Sequence, residues 1–141
     1  MATRSTIALE FADGTVGQVY CHWDGYLDHN GKILQESYSN PFILRDLIDL
    51  GDVSSLAPMI GTKHDFDTRV EGVCTFYGRD RGEDNVSARY FKNHQEYLDN
   101  AQREEYDYIL RNVDGVATWF VSDHGSDFKE LSVALWEEVT V

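Results

Sequence analysis

The sequence predicts a single α+β domain in which one antiparallel sheet packs against two to four helices. Two pairs of alternating segments are each joined by an Asp-Gly dipeptide, Asp13-Gly14 in the first pair and Asp114-Gly115 in the second. Asp-Gly between alternating runs is a strong β-hairpin signal. Helical patterns are interspersed without regular strand-helix-strand alternation. We therefore expect an antiparallel sheet that is covered on one face.

The first hairpin is predicted over residues 5–11 and 16–23. Apolar side chains alternate with polar or smaller ones along both segments, as in half-buried strands. This phase places Ile7 and Leu9 of the first segment and Trp23 of the second on the core face. We expect Trp23 to be mostly buried.

Two helices and a long connection are predicted next. A short helix is expected over residues 32–38. In the second helix Asn40 caps the N terminus, Pro41 occupies the first turn, and apolar residues recur at helical spacing until Gly51. No periodicity persists over residues 51–69, which indicates a long connection, and such connections are often functional.

Strand signals return after this connection. Residues 70–77 are rich in β-branched and aromatic side chains and are predicted to form a strand. A charged loop is expected over residues 79–85, and a short strand over residues 87–91.

A polar helix and the second hairpin follow. The helix is predicted over residues 93–103, capped by Asn93 with Glu96 three residues later. The hairpin pairs residues 106–113 with 116–122 by the same reasoning as the first.

The C-terminal element has two interpretations. Trp119 lies in phase with the apolar face of the second hairpin, so we expect it to be mostly buried. After the hairpin, Asp127 is predicted to cap a last helix, although residues 131–135 fit a strand equally well. The helix would bury Phe128, Leu131, Leu135 and Val139.

Composition bounds the class of protein. The chain has 141 residues and a 42% hydrophobic content, far from the composition of disordered chains, and a domain of this mass buries about two thirds of its surface. No apolar run approaches the roughly 20 residues of a membrane span, and we see no leader pattern. Cys21 and Cys74 are too far apart in sequence for a CxxC motif. We expect a soluble protein in a reducing compartment.

The charge balance excludes some partners. The formal net charge is −13 and the pI is about 4.5, so electrostatic repulsion disfavours direct contact with nucleic acid or an anionic membrane. The P-loop, dinucleotide-binding, zinc-protease and nucleophile-elbow motifs do not occur. Common nucleotide hydrolases and hydrolytic enzymes are therefore disfavoured, and we expect no metal and no cofactor.

The first candidate site is the run of residues 21–26. Cys21 and His22 would point to opposite faces of a strand, which disfavours joint zinc ligation. His22 and Tyr26 could instead stand with Asp24 at the strand end. A hydrolase that uses His22 and Asp24 is the weakest of our functional hypotheses.

The second candidate site is the charged turn after Gly78. Arg79 and Arg81 are two guanidinium groups that could bind a phosphate. The more ordinary interpretation pairs them with neighbouring carboxylates in a solvated turn. If a nucleotide binds, aromatic side chains would stack on its base; the candidates are Trp23, Tyr26 and Tyr77.

Acidic residues concentrate towards the C terminus. Such a surface could occupy the basic nucleic-acid-binding cleft of another protein, although solubility alone also explains the charge. The candidate partner-binding residues are Asp127, Glu130, Glu137 and Glu138.

Four short motifs stand out: TRSTIA from residue 3, CHWDGY from residue 21, GDVSSL from residue 51 and GRDRGE from residue 78. HWDGY and GRDRGE are specific as strings. Together the four motifs resemble a family of small bacteriophage- and prophage-encoded proteins of uncharacterised function. The resemblance implies a bacterial host cytoplasm and a role in binding and disabling host or defence proteins. It implies no catalytic residues.

These observations favour a non-enzymatic phage accessory protein that inhibits a host or defence-system protein, with an acidic surface as one means of contact. The alternative is a protein that sequesters a nucleotide-like signalling molecule. The sequence is also compatible with a homo-oligomer.

Overall fold

Both predicted hairpins form in the computed structural model, which describes residues 2–140. β1 (Ser5–Glu10) pairs antiparallel with β2 (Val16–Cys21). β6 (Tyr106–Val113) pairs antiparallel with β7 (Val116–Asp123). The two Asp-Gly dipeptides therefore mark the turns that the sequence predicts.

The helices surround these hairpins. The Asn40 side chain accepts a hydrogen bond from the Phe42 N–H at 3.0 Å, and Asn93 accepts one from the Glu96 N–H at 2.9 Å. Both predicted caps are confirmed. A single π-helical turn, Leu27–Gly31, leads into the first helix. The α-helices are α1 (Lys32–Ser37), α2 (Pro41–Asp49), α3 (Tyr77–Arg81), α4 (His94–Asn100) and α5 (Leu131–Thr140).

The remaining strands are short and extend the sheet at both sides. They are β3 (Val53–Ser55), β4 (Thr75–Phe76), β5 (Arg89–Phe91) and β8 (Lys129–Glu130). The strand order is β4-β3-β2-β1-β6-β7-β8, with β5 also paired to β2. The predicted α+β class is confirmed. The sheet is mixed rather than wholly antiparallel, because β1 pairs parallel with β6 and β2 pairs parallel with β3.

The main core lies on the face of the sheet that α1, α2 and α5 cover. Alternate side chains of the four central strands point into it. Trp119, with 1% of its surface exposed, is among its largest members, so its predicted burial is confirmed. The strand residues of this face are Ile7, Leu9, Val19, Cys21, Tyr108, Leu110, Trp119 and Val121.

The opposite face of the sheet is also covered, where we expected solvent. Ala8, Val16 and Ile109 pack there around Tyr97 of α4 in a second, smaller core. Gln18, which the alternation assigns to the polar face, is fully buried on this side. Tyr97 is fully buried in this core, and partly buried apolar side chains from other elements complete it: Phe91, Leu98, Ala101, Phe120 and Phe128.

The prediction that Trp23 is buried is wrong. β2 ends at Cys21, and the chain then turns through Asp24, whose φ angle is 57°. The alternation of β2 therefore does not continue to Trp23, which is 37% exposed.

Several element boundaries also differ from the prediction. The expected connection over residues 51–69 contains β3, and the expected strand over residues 70–77 is reduced to Thr75–Phe76. The expected loop over residues 79–85 begins as the helical turn α3.

The C-terminal element is a helix, one of the two alternatives left open. α5 begins at Leu131, directly after β8, so Asp127 lies too early in the chain to cap it. Leu131 is buried as expected, whereas Val139 is 68% exposed.

The two tryptophans should respond differently to truncation. We expect Trp119→Ala to lower the free energy of unfolding by about 3 to 5 kcal/mol, because it empties the centre of the main core. Trp23→Ala should cost much less, since its side chain already contacts solvent. Urea denaturation of both variants measures the difference, and equal losses would contradict the assignment of Trp23 to the surface.

Candidate functional site

The GRDRGE motif begins a tight helical turn whose carboxylate points inwards. The Asp80 side chain is 0% exposed and accepts hydrogen bonds from the backbone N–H groups of His64 at 3.0 Å and Phe76 at 2.8 Å. Asp80 therefore joins the start of α3 to the distant loop around His64.

Arg79 takes part in the same connection, and each of its N–H donors has an acceptor. Its Nε donates to Asp80 at 3.0 Å. One terminal nitrogen donates to the carbonyls of Ile60 and Gly61, and the other donates to the Cys74 carbonyl and to Asp80. A guanidinium carries five N–H donors, and all five are used. This geometry gives Arg79 a structural role in place of the predicted contact with a phosphate.

The balance of interactions keeps Asp80 ionised. Burial opposes ionisation, but the hydrogen bonds from Arg79 and from the His64 and Phe76 backbone outweigh it and lower the pKa of Asp80. A buried carboxylate with this many donors is costly to unpair. We call the group of Arg79, Asp80 and His64 the loop latch, because it holds residues 60–64 and Cys74 against α3.

His64 contributes to the loop latch through both ring nitrogens. Nδ1 lies 2.9 Å from the Asp65 carbonyl oxygen and Nε2 lies 3.1 Å from the Cys74 carbonyl oxygen. Carbonyl oxygens only accept hydrogen bonds, so this arrangement favours the doubly protonated imidazolium. These two backbone contacts, aided by the charge of Asp80, raise the pKa of His64.

Arg81, two residues after Arg79, faces outwards. Its guanidinium lies over the rings of Phe66 at 4.6 Å and Tyr77 at 5.1 Å, and it pairs with Glu83. The predicted pairing of this turn with neighbouring carboxylates is thus present at Arg81. The side chain stays half exposed, so it is the one member of the predicted arginine pair that a ligand can reach.

The side chain of His22 contacts two aromatic residues. The His22 Nδ1 lies 2.7 Å from the Tyr20 hydroxyl, and its ring meets Trp23 edge-on at 4.7 Å. Among residues 2–140, no hydrogen bond joins His22 to Asp24. Burial raises the pKa of Cys21 to about 12, so the neighbouring thiol is a core group and not a nucleophile.

Two of the predicted aromatic residues, Trp23 and Tyr77, form backbone hydrogen bonds with β3 or the residue before it. The Trp23 N–H donates to the Ser54 carbonyl at 3.0 Å, and the Tyr77 N–H donates to the Asp52 carbonyl at 3.3 Å. Tyr26 lies further along, beside the His29 ring at 6.1 Å. Trp23 and Tyr77 therefore lie on opposite sides of β3, Arg81 lies over the Tyr77 ring, and Arg79 is turned inwards.

α5 carries exposed apolar side chains in the same C-terminal segment as the predicted acidic residues. Val133, Trp136 and Val139 follow one another at three-residue intervals and are 46%, 67% and 68% exposed. Asp127, Glu130, Glu137 and Glu138, on α5 or just before it, are also exposed, and Glu137 lies 3.5 Å from Lys129. We call these seven residues the α5 surface.

Sequence reasoning missed the apolar part of the α5 surface. The predicted buried set includes Val139, which is exposed, and omits Val133 and Trp136. The signal was available, because residues 131–140 contain two apolar stripes, whereas a surface helix normally needs one.

Comparison of the chain with protein-family models, with curated proteins and with solved structures gave no match. Within residues 2–140, no helix is both long and apolar enough to cross a bilayer. The same residues contain no group of three or more His, Cys, Asp or Glu side chains placed to hold a metal ion.

The two arginines of the GRDRGE motif should differ in a stability measurement. Arg79→Lys keeps the charge but leaves several buried carbonyls without a donor, so we expect the free energy of unfolding to fall by about 2 to 3 kcal/mol. Arg81→Lys, the matched control, should change it by less than about 0.5 kcal/mol. Similar values for both variants would contradict the structural role of Arg79.

The loop latch should weaken as the pH rises. The folded state raises the pKa of His64 above its usual 6.5, so its contribution is complete below that value and is lost as the pH rises through the higher folded pKa. His64→Gln should remove this part of the pH dependence. Thermal melts of both proteins from mildly acidic to mildly basic pH test this, and parallel curves would contradict it.

Proposed function

We propose that this chain is a non-enzymatic phage accessory protein that binds and inhibits a host or defence-system protein in the bacterial cytoplasm. The contact is made by the α5 surface. The observation that carries the proposal is an exposed tryptophan, Trp136, between two exposed valines on a helical segment that also carries four exposed carboxylates. The resemblance to phage-encoded proteins supplies the biological setting.

The composition of the α5 surface suits a protein interface. Interfaces concentrate their binding energy in a few central aromatic anchors, and charged residues lie at the rim. Trp136 supplies the anchor. Leu131 and Ala134, on the other side of the helix, are buried in the main core, so α5 is held in place before a partner arrives. A surface that is already ordered loses less conformational entropy on binding.

The charge of the α5 surface indicates the class of partner. Four exposed carboxylates attract a basic surface and repel an acidic one. A basic cleft that normally binds nucleic acid is such a surface. The contact would block the cleft, which is how binding produces inhibition.

A second candidate function rests on the aromatic group near β3. Trp23 is 37% exposed, and the half-exposed Arg81 lies over Tyr77. An aromatic ring and a guanidinium together can hold a nucleotide by stacking and by charge. This arrangement supports the alternative of a protein that sequesters a nucleotide-like signal.

Charge and anchor variants should test the main proposal. We expect capture from phage-infected cells to yield a basic partner with the wild-type protein, and the purified partner should be inhibited by it. Trp136→Ala and the combined reversal of Asp127, Glu130, Glu137 and Glu138 to Lys should each weaken the association, the second also flattening its salt dependence.

The matched control reverses acidic residues outside the α5 surface. Asp67→Lys combined with Asp84→Lys changes two exposed carboxylates of other loops and should leave affinity and inhibition almost unchanged. Sedimentation of each variant shows whether Trp136 instead joins two copies of the chain. Full affinity and inhibition in both α5 variants would eliminate this surface as the contact.

Calorimetric titration with cyclic and linear nucleotides tests the second candidate. If Trp23, Tyr77 and Arg81 bind a nucleotide, the affinity for that nucleotide should fall at least tenfold in Arg81→Ala or Trp23→Ala, while the free energy of unfolding changes little. A flat trace for the wild-type protein across the panel would eliminate this candidate.

A further inference from the structure

A notch opens where the central strand β1 leaves the sheet. It encloses about 570 Å³ between the start of α2 and the end of the second hairpin. Its apolar lining includes Leu9, Phe11, Phe42 and Ala117, and its polar lining includes Arg45 and Arg111. Sites that bind extended apolar groups have this size and this sparse polar lining.

One wall of the notch is an open strand edge. The pairing of β1 with β6 ends at Leu9 and Leu110, but β6 continues to Val113. β1 does not follow, because the chain turns at Phe11, whose N–H donates to the Thr15 carbonyl at 2.8 Å. The last part of β6 therefore has β7 on one side and the notch on the other.

The geometry of the hairpin directs backbone groups into the notch. Asp114 and Gly115 have φ angles of 52° and 85°, as in a two-residue type I′ turn. Val113 and Val116 flank this turn and form a hydrogen-bonded pair, so the next pair, Asn112 and Ala117, is a non-hydrogen-bonded one. The backbone N–H and C=O of Asn112 consequently point away from β7 and towards the notch.

The charge of the notch is opposite to that of the chain. Arg45 forms no ion pair within the described residues, and its guanidinium lies 5.6 Å from the centre of the Phe42 ring. Arg111 is paired with Glu10 at 3.3 Å. The notch thus presents one uncompensated cation in a protein of net charge −13, which favours an occupant that carries a carboxylate.

We propose that the notch binds an extended segment of a partner protein, which adds as a short strand to the open edge of β6. Its backbone pairs with Asn112, an apolar side chain fills the cavity between Leu9 and Phe42, and an acidic side chain pairs with Arg45. Strand addition uses backbone hydrogen bonds for affinity and alternate side chains for specificity. This second contact is independent of the α5 surface.

Hydrogen exchange of the free protein gives the first test. The Arg111 amide lies in a hydrogen-bonded pair with Thr118 and should exchange slowly, whereas the Asn112 amide should exchange fast. Slow exchange at Asn112 in the free protein would show that the edge is closed, and the proposal would fail at this point.

Selection from a randomised heptapeptide library gives the second test. We expect enrichment of peptides that alternate apolar residues and carry at least one Asp or Glu. A selected peptide should slow exchange of the Asn112 amide at least tenfold. Arg45→Glu should weaken its binding at least tenfold, and Arg69→Glu, which changes another exposed arginine, should not.

Asn112→Pro is the complementary variant, because it removes the N–H donor that faces the notch while the backbone bonds to β7 remain. Asn112→Ala is its control, because both variants lose the bond that the Asn112 side chain accepts from the Gly115 N–H at 2.8 Å, and only Asn112→Pro should weaken binding. Asn112→Pro should weaken binding of the selected peptide as strongly as Arg45→Glu does. No enrichment, or binding that leaves the Asn112 exchange unchanged, would overturn the proposal. Titration with decanoate is the control for a small ligand: binding of decanoate without any enriched peptide would assign the notch to a small amphipathic anion and would equally overturn it.

Discussion

The buried carboxylate of Asp107 is the interaction on which the central sheet depends. It is 0% exposed and accepts hydrogen bonds from the Thr6 hydroxyl at 2.6 Å, the Arg103 Nε at 2.9 Å and the Glu104 N–H at 3.1 Å. Thr6 and Asp107 are register partners in the parallel pair of β1 and β6. A buried carboxylate is tolerable only with such partners. The observed register of β1 and β6 provides Thr6 as a donor to Asp107, whereas a shifted register would leave the Asp107 carboxylate without this donor. The backbone pairing of β1 with β6 joins the two hairpins into one sheet, and the contact between Thr6 and Asp107 favours its register. Arg103 connects the segment after α4 to the same carboxylate.

That junction explains both the second core and the notch. Joining β1 to β6 brings α4 across the outer face, because α4 lies directly before the Asp107 segment in sequence, and Tyr97 then fills the space over Ala8 and Ile109. β1 is shorter than β6, since it must turn at Phe11 to reach β2. Beyond Leu9 and Leu110, β6 therefore has no pairing partner among the described residues on the side of β1, and the end of the second hairpin extends past the first. An open edge beside an apolar cavity is unusual on a protein surface, because exposed edges invite pairing with other chains.

Local patterns predicted the hairpins, the capped helices and the burial of Trp119, because each of these depends on residues close together in sequence. They did not predict the parallel pairing of β1 with β6, which joins residues as far apart in sequence as Thr6 and Asp107. The GRDRGE motif shows the same limit. Its residues were recognised as unusual, but whether Arg79 reaches a ligand or a set of carbonyls depends on where residues 60–64 lie. The two exposed tryptophans show a limit of periodicity itself. The alternation of β2 predicts a buried Trp23, but the strand ends at Cys21. The predicted buried set of α5 does not account for Trp136, which is exposed.

The internal ion pairs also determine what a partner meets at the surface. Arg79 and Arg103 are paired with fully buried carboxylates, and Arg89 and Arg111 with largely buried ones. The chain has 12 Lys and Arg against 25 Asp and Glu, so using these cations inside the fold leaves much of the acidic excess on the exterior without nearby compensation. Exposed carboxylates such as those of the α5 surface therefore act over a distance of several ångströms, up to about the Debye length of 8 to 10 Å at physiological salt. The unpaired Arg45 is a local exception to the surrounding negative field. An acidic α5 surface and an unpaired cation in the notch follow from one distribution of charge, in which half of the eight arginines pair with buried or largely buried carboxylates.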